Sequence, residues 1–170
     1  IVNSPHNPTG AVFSAADLDA LSDVLCDSPA LVLSDEVYEH IVFGGREHAS
    51  LLARPELAAR SFVVSSFGKT FHCTGWKIGY CVAPPGLTAE FRKVHQFVQF
   101  AVAAPMQAGL AEFLAESPGH ALGLAAFYEG KRDHFGRLLE RTPLAFVPAA
   151  GTYFQLADYS RVSNLPDVEF

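Results

Sequence analysis

Any chemistry in this sequence turns on Lys69. It stands in Ser66-Phe67-Gly68-Lys69, behind a hydroxyl at spacing three, and a second cation, Lys77, follows eight residues later. Gly68, Gly75 and Gly79 allow tight turns around it. A lysine amine that attacks a carbonyl must be neutral near pH 7, which burial or a nearby cation brings about. Phe67, Phe71 and Trp76 are expected to supply the apolar setting and Lys77 the cation. Two upstream stretches add polar groups: Asn7-Pro8-Thr9-Gly10 and Ser34-Asp35-Glu36-Val37-Tyr38. Asp35 follows an apolar run, where a buried carboxylate is costly unless a cation arrives with a ligand. Each residue also has a plainer reading: Lys69 and Lys77 as surface lysines, Asp35 as a cap, Asn7 as a turn residue.

The elements that would position these groups read as an α/β layer. Ala30 to Ser34, Ser61 to Ser65 and Ile78 to Ala83 are continuous apolar runs of the kind found in strands covered on both faces. Helical segments alternate with them, which points to a largely parallel sheet whose ligands collect beyond the carboxyl ends of the strands. Ser14-Ala15-Ala16-Asp17 has a capping-box pattern before Leu18, Leu21 and Leu25 at helical spacing. Phe91, Val94, Val98 and Val102 predict a helix capped by Thr88, and Pro105 opens another segment that runs to Ser117. His120 to Arg141 reads as a long helix. Leu144 to Val147 and Thr152 to Ala157 read as strands, and Leu165 to Phe170 as the opening of a helix. Tyr80 is expected in the core, while Trp76, Tyr153 and Phe154 are open to a pocket or core role.

Composition excludes several classes. The chain has 170 residues, of which 49% are apolar, enough for a sizeable core. Its formal charge of −6 offers no basic stripe for nucleic acid or an anionic membrane. Three cysteines without a Cys-x-x-Cys pair suggest reduced thiols in a cytoplasmic protein, and the seven histidines show no metal-ligand spacing. No apolar run approaches the ~20 residues of a membrane helix. Entry on Ile1 and the apparent opening of a helix at the end lead us to expect an internal fragment.

Taken in order, Asn7-Pro8-Thr9-Gly10, Ser34-Asp35-Glu36-Val37-Tyr38, the run from Ser65 to Tyr80, and Gly151-Thr152-Tyr153-Phe154 resemble the fold-type-I pyridoxal-phosphate aminotransferases of class I/II. The run from Ser65 looks closest to their methionine and kynurenine subgroup. The resemblance covers essentially the whole chain. It implies a pyridoxal-phosphate-dependent transferase-like large domain, with helices on both faces of a mainly parallel sheet, in residues 1–117. Residues 118–170 would be a connecting helix and the start of an α+β small domain. The implied cofactor is pyridoxal 5'-phosphate, with Lys69 as the Schiff-base residue and general base. Asp35 would sit beside the pyridine nitrogen, and Asn7 and Tyr38 would donate to the phenolic oxygen. Ser66 and Lys77 would hold the phosphate, although many members have arginine where this chain has Lys77.

The implied reaction moves an amino group from an amino acid, methionine or an aromatic one by subgroup, to a 2-oxo acid. The implied assembly is a homodimer. The family's glycine-containing phosphate loop, ring-stacking aromatic and carboxylate-binding arginine are not in this sequence, so the chain alone is expected to be inactive. A carbon–sulfur lyase on the same fold and the sensor domain of a transcription regulator are the alternative readings.

Overall fold

The computed structural model describes residues 1–170, and its centre is a four-stranded sheet in the order β1-β2-β3-β4. The strands are β1 (Val2–Asn3), β2 (Val32–Asp35), β3 (Ser61–Ser66) and β4 (Gly79–Val82). The first three run parallel, and β4 pairs antiparallel with β3. Register brings Asn3 beside Asp35, Asp35 beside Val64, and Ser66 beside Gly79. Three carboxyl ends and the start of β4 therefore meet at one edge, and that edge carries the polar motifs.

The helices are α1 (Ala15–Leu25), α2 (Pro55–Ala58), α3 (Phe67–Thr70), α4 (Pro85–Val98), α5 (Ala104–Glu116) and α6 (Leu124–Leu139). Helix α1 starts where the capping pattern predicts. The Asp17 amide donates to Ser14 Oγ at 3.2 Å, and the Ser14 amide donates to Asp17 Oδ2 at 2.7 Å. The guanidinium of Arg60 closes its other end, donating to Leu25 O at 2.6 Å and Ser28 O at 2.7 Å. These bonds satisfy donors and acceptors that a helix end would otherwise leave unpaired. Leu18 packs with Val32, Leu51, Leu57 and Val63 into the main core. A second cluster gathers Tyr38, Ile41, Phe43 and Leu124.

Strand alternation assigns the two faces. Val32, Ser34, Ser61, Val63 and Ser65 point to the α1 side and are buried. Leu33, Phe62, Val64 and Ser66 point the other way, where Phe91 of α4 reaches Phe62 at 6.4 Å between ring centroids. Helices thus lie on both sides of a mixed sheet, and the cover on the α1 side stops at β3: Tyr80 and Val82 of β4, which pair with Ser65 and Val63, are exposed. The expectation of strands buried on both faces holds on the α1 side of β2 and β3 alone, because β4 stays exposed there and the second side leaves Leu33 exposed.

Three local expectations are corrected. Helix α4 begins at Pro85, whose missing amide suits a first turn, and not at Thr88, whose hydroxyl donates to Ala83 O at 2.9 Å. Its Phe91, Val94 and Val98 are exposed, and Val102 lies beyond its end. The long helix predicted from His120 is a 3-10 turn, His120–Gly123, followed by α6. Leu144 to Val147 and Thr152 to Ala157 form no ladder, and the single bridge there, Ala145 with Asp158, falls one residue past the second segment. The amide side chain of Gln155 takes the place of ladder partners there: it accepts from the Ala149 amide at 3.1 Å and donates to Val147 O at 2.8 Å. The end of the chain makes one turn, closed by the amides of Glu169 and Phe170 on Pro166 O. No helix is long and apolar enough to cross a membrane.

Candidate active site

A cleft of about 490 Å³ opens at the carboxyl ends of the parallel strands. It is lined by Asn7, Asp35, Tyr38, Ser66, Lys69 and Lys77, together with Asn3, Val37, Val64, Ser65 and Thr74. All six residues singled out in the sequence therefore face one space, although they come from four separate stretches of chain.

The Asn7 turn is held from both sides. The Asn7 amide donates to Asn3 Oδ1 at 2.9 Å, and Asn3 Nδ2 donates to Asp35 O at 2.9 Å. Behind the turn, Gly10 adopts φ +70, and its carbonyl accepts from the amides of Ala150 and Gly151 at 3.0 Å each. A Cβ on Gly10 would stand 2.4 Å from that of Ala149, and one on Gly151 would stand 2.8 Å from Val12 Cγ2. Backbones approach this closely only because both positions lack a side chain.

Asp35 ends β2. One of its carboxylate oxygens, Oδ1, accepts from the Val37 amide at 3.1 Å, so the residue caps its own turn while also lining the cleft. Three residues on, Tyr38 is buried with its ring edge-on to Tyr153 at 5.2 Å and Phe154 at 5.9 Å. Burial, reinforced by Tyr153 and the Asp35 carboxylate, holds its hydroxyl pKa well above the ordinary phenol value. The group is thus a hydrogen-bond donor throughout the physiological range.

Lys69 rides on the one-turn helix α3. Ser66 caps it, accepting from the Gly68 amide at 3.1 Å, and Thr74 Oγ1 ties it down by donating to Gly68 O at 3.1 Å. The close packing under Gly68, where a Cβ would meet Thr74 Cα at 2.9 Å, leaves no slack. Lys77 has a left-handed backbone, φ 56 and ψ 42, just after the 3-10 turn Thr74–Trp76. An uncommon conformation at a non-glycine residue is sustained only where its surroundings fix it. None of the chain's ion pairs involves Lys69, Lys77 or Asp35.

The aromatic setting differs from expectation. Phe67, Phe71 and Trp76 do not line the cleft. Phe67 packs on Tyr80 at 5.3 Å and Phe71 on Phe113 at 5.6 Å, while Trp76 lies over Gly109 of α5. Residues two positions from Lys69 on a helical turn must point away from it. The apolar wall is made by Val37, Tyr38 and Val64 instead. Tyr80, expected in the core, is 40% exposed and donates to Glu39 Oε1 at 2.6 Å. Partial burial first, then this carboxylate, pushes its pKa up to about 12. Tyr153 and Phe154 line a smaller neighbouring cavity of about 200 Å³ with Tyr128 and Arg132.

Asn3, Thr74 and Val64 escaped the sequence reading. Only strand register places Asn3 opposite Asp35, and only the fold brings Thr74 back onto Gly68.

The donor set fits a ligand bearing an anionic group, an aldehyde and a basic ring nitrogen. Two cations, a carboxylate, two hydroxyls and an amide converge without neutralising one another. Residues 1–167 match the model of the family described as aminotransferase class I and II. The whole chain is 52% identical to a methionine aminotransferase of Escherichia coli K12, of which it covers 44%. Over 95% of its length it is 38% identical to a kynurenine–oxoglutarate transaminase of Dictyostelium discoideum, of which it covers 38%. The solved structure of Escherichia coli YbdL, a protein identified with a methionine aminotransferase function, superposes with a TM-score of 0.95 at 51% identity. That match covers 99% of this chain and 44% of the other. The chain thus spans less than half the length of the relatives it matches.

Proposed function

This chain belongs to the class I and II aminotransferases, and on that premise we propose that it carries the cofactor-holding part of an enzyme that moves an amino group from an amino acid to a 2-oxo acid. The cofactor would be pyridoxal 5'-phosphate. The carrying observation is the cleft in which Lys69, Lys77 and Asp35 stand without ion-pair partners beside Asn7, Tyr38 and Ser66. Methionine or an aromatic amino acid is the proposed donor, in keeping with what the similar proteins are named for.

When bound, pyridoxal phosphate supplies an electron sink for the bonds at the substrate's α-carbon. The chain's own residues do the rest. Lys69 Nζ would hold the aldehyde and would move the proton at the α-carbon, from a helical turn anchored by Ser66 and Thr74. Asp35 would offer its carboxylate to the ring nitrogen and favour the protonated form. Tyr38 and Asn7 donate to the phenolic oxygen, Tyr38 with a hydroxyl that burial keeps protonated. Ser66 and Lys77 hold the phosphate, Lys77 as a point charge without the fork of an arginine. We assign residues 1–117 to the large domain and 118–170 to the connecting helix and start of the small one. A cytoplasmic homodimer is the proposed working form.

The test is Lys69→Ala in the full-length protein. Borohydride should no longer fix the cofactor to this peptide, and turnover should fall by orders of magnitude; unchanged turnover would refute the assignment. Products from methionine separate transfer from carbon–sulfur cleavage. A 2-oxo acid that retains sulfur supports the proposal, whereas free thiol contradicts it.

A further inference from the structure

Glu36 stands next to Asp35 but does not line the cleft. It is 2% exposed, and its carboxylate is fully engaged. Oε1 accepts from Ser34 Oγ at 2.9 Å and from the Leu51 amide at 3.0 Å, and Oε2 pairs with His48 Nε2 at 2.7 Å. Its own amide donates to Val64 O at 2.9 Å. One side chain and its amide thereby bind β2, β3, the segment carrying His48, and the 3-10 turn Leu51–Ala53, whose Leu51 belongs to the main core. Burial would raise the carboxyl pKa, but the hydrogen bonds of His48, Ser50 and Leu51 outweigh it and hold the group below its ordinary value.

Stability alone does not account for this arrangement. A buried carboxylate held by polar partners generally does no better for stability than apolar residues of similar volume. His48 also leaves Nδ1 buried without a partner, a cost that a purely packing side chain would not carry. What the pair does secure is direction. Asp35, Glu36 and Tyr38 leave the end of β2 three ways: into the cleft, down to His48 and Leu51, and into the aromatic cluster. If Glu36 swings, its neighbours on both sides swing with it.

We propose that Glu36 and His48 are positioning residues for the cleft: their buried pair fixes the turn from Asp35 to Tyr38 so that the Asp35 carboxylate and the Tyr38 ring keep their aim, without touching what binds there. The inference rests on reading the cleft as a pyridoxal phosphate site.

The experiment uses the full-length protein loaded with pyridoxal phosphate and the variants Glu36→Gln, His48→Ala, His48→Gln and Ser34→Ala. Cofactor affinity, the absorbance of the bound cofactor, kcat and KM, and the thermal midpoint are measured for each. Glu36→Gln and His48→Ala should weaken cofactor binding about tenfold, the size expected for loss of a buried charge-assisted hydrogen bond. They should also alter the bound absorbance and lower kcat more than they raise KM. His48→Gln, which keeps an N–H donor, should recover most of the loss at an equally lowered thermal midpoint. Ser34→Ala, which removes one of three donors, should shift the same readouts less, and it carries the test if the first two variants do not fold. Wild-type affinity and absorbance in Glu36→Gln and His48→Ala, or in Ser34→Ala where those two do not fold, would overturn the inference, as would equal losses in His48→Ala and His48→Gln. An unmodified protein that fails to bind the cofactor overturns the reading of the cleft and this inference with it.

Discussion

Gly79→Ala tests whether the junction of β3 and β4 sets the geometry of the site. Gly79 pairs with Ser66, and a Cβ built on it would stand 2.5 Å from the Ser65 carbonyl oxygen. An ordinary carbon–oxygen approach is about 3.3 Å or more, so the strands must part by most of an ångström. The obstructing atom is backbone and cannot rotate aside. Overpacking of this kind costs about 1–3 kcal/mol, which lowers the thermal midpoint of a domain this size by roughly 2–12 °C. The functional loss should be larger. Ser66 and Lys69 both follow from this end of β3, and a misplacement near 1 Å can cost about a hundredfold in rate. The assay is steady-state transamination by the full-length variant beside a thermal melt. Gly75→Ala is the control, because a Cβ there meets nothing within 4 Å and should change neither reading. Wild-type kinetics in Gly79→Ala, or equal losses in both variants, would refute the reasoning.

Asp35→Asn keeps an oxygen for the Val37 amide but removes the charge, so it should lose far more rate than cofactor affinity; wild-type kinetics would show that Asp35 only caps its turn. Lys77→Arg should tighten cofactor binding a few-fold by adding a bidentate fork, and Lys77→Met should weaken it; affinity indifferent to both would remove Lys77 from the phosphate site. Glu36 makes acid sensitivity predictable. Its folded pKa lies below the ordinary 4.5, so its contribution is complete above that value and is lost as pH falls through the folded pKa. Melts below pH 4.5 should therefore be steeper in pH for wild type than for Glu36→Gln, and identical slopes would contradict the assignment.

The parts of the site legible in the sequence were those whose chemistry is carried by residue type and short spacing. Lys69 behind Ser66 and Asp35 after an apolar run need only a few neighbours to be read, as does, outside the site, the cap of α1 by Ser14 with Asp17. What escaped depends on strand register or on a side chain replacing backbone. Asn3 reaches the cleft through its pairing with Asp35, and Gln155 dissolves two expected strands by occupying Val147 and Ala149. Tyr80 was misplaced because apolar character predicts burial but not the place of β4 at the end of the sheet, where the face it shares with buried Ser65 is no longer covered. The aromatic residues around Lys69 were near in sequence and far in direction, a distinction only the helical turn makes.

The backbone clamp between Gly10 and Gly151 bears on the order in which the molecule can be made. The Asn7 turn is synthesised well before the Gly151 segment, yet the carbonyl of Gly10 finds its donors only on Ala150 and Gly151. While the ribosome is still extending the chain, α1 and its capping box can form from local sequence and the Asn7 turn can close its own bonds from His6 to Ala11 and from Gly10 to His6, but the Gly10 carbonyl behind it still lacks its donors. Contacts of such long sequence separation form late, because closing the intervening loop costs entropy before any contact returns it. The sheet can therefore assemble around an unfinished site, which becomes rigid only when the Gly151 segment arrives. The nascent protein is thus expected to acquire its fold before its capacity to hold a ligand.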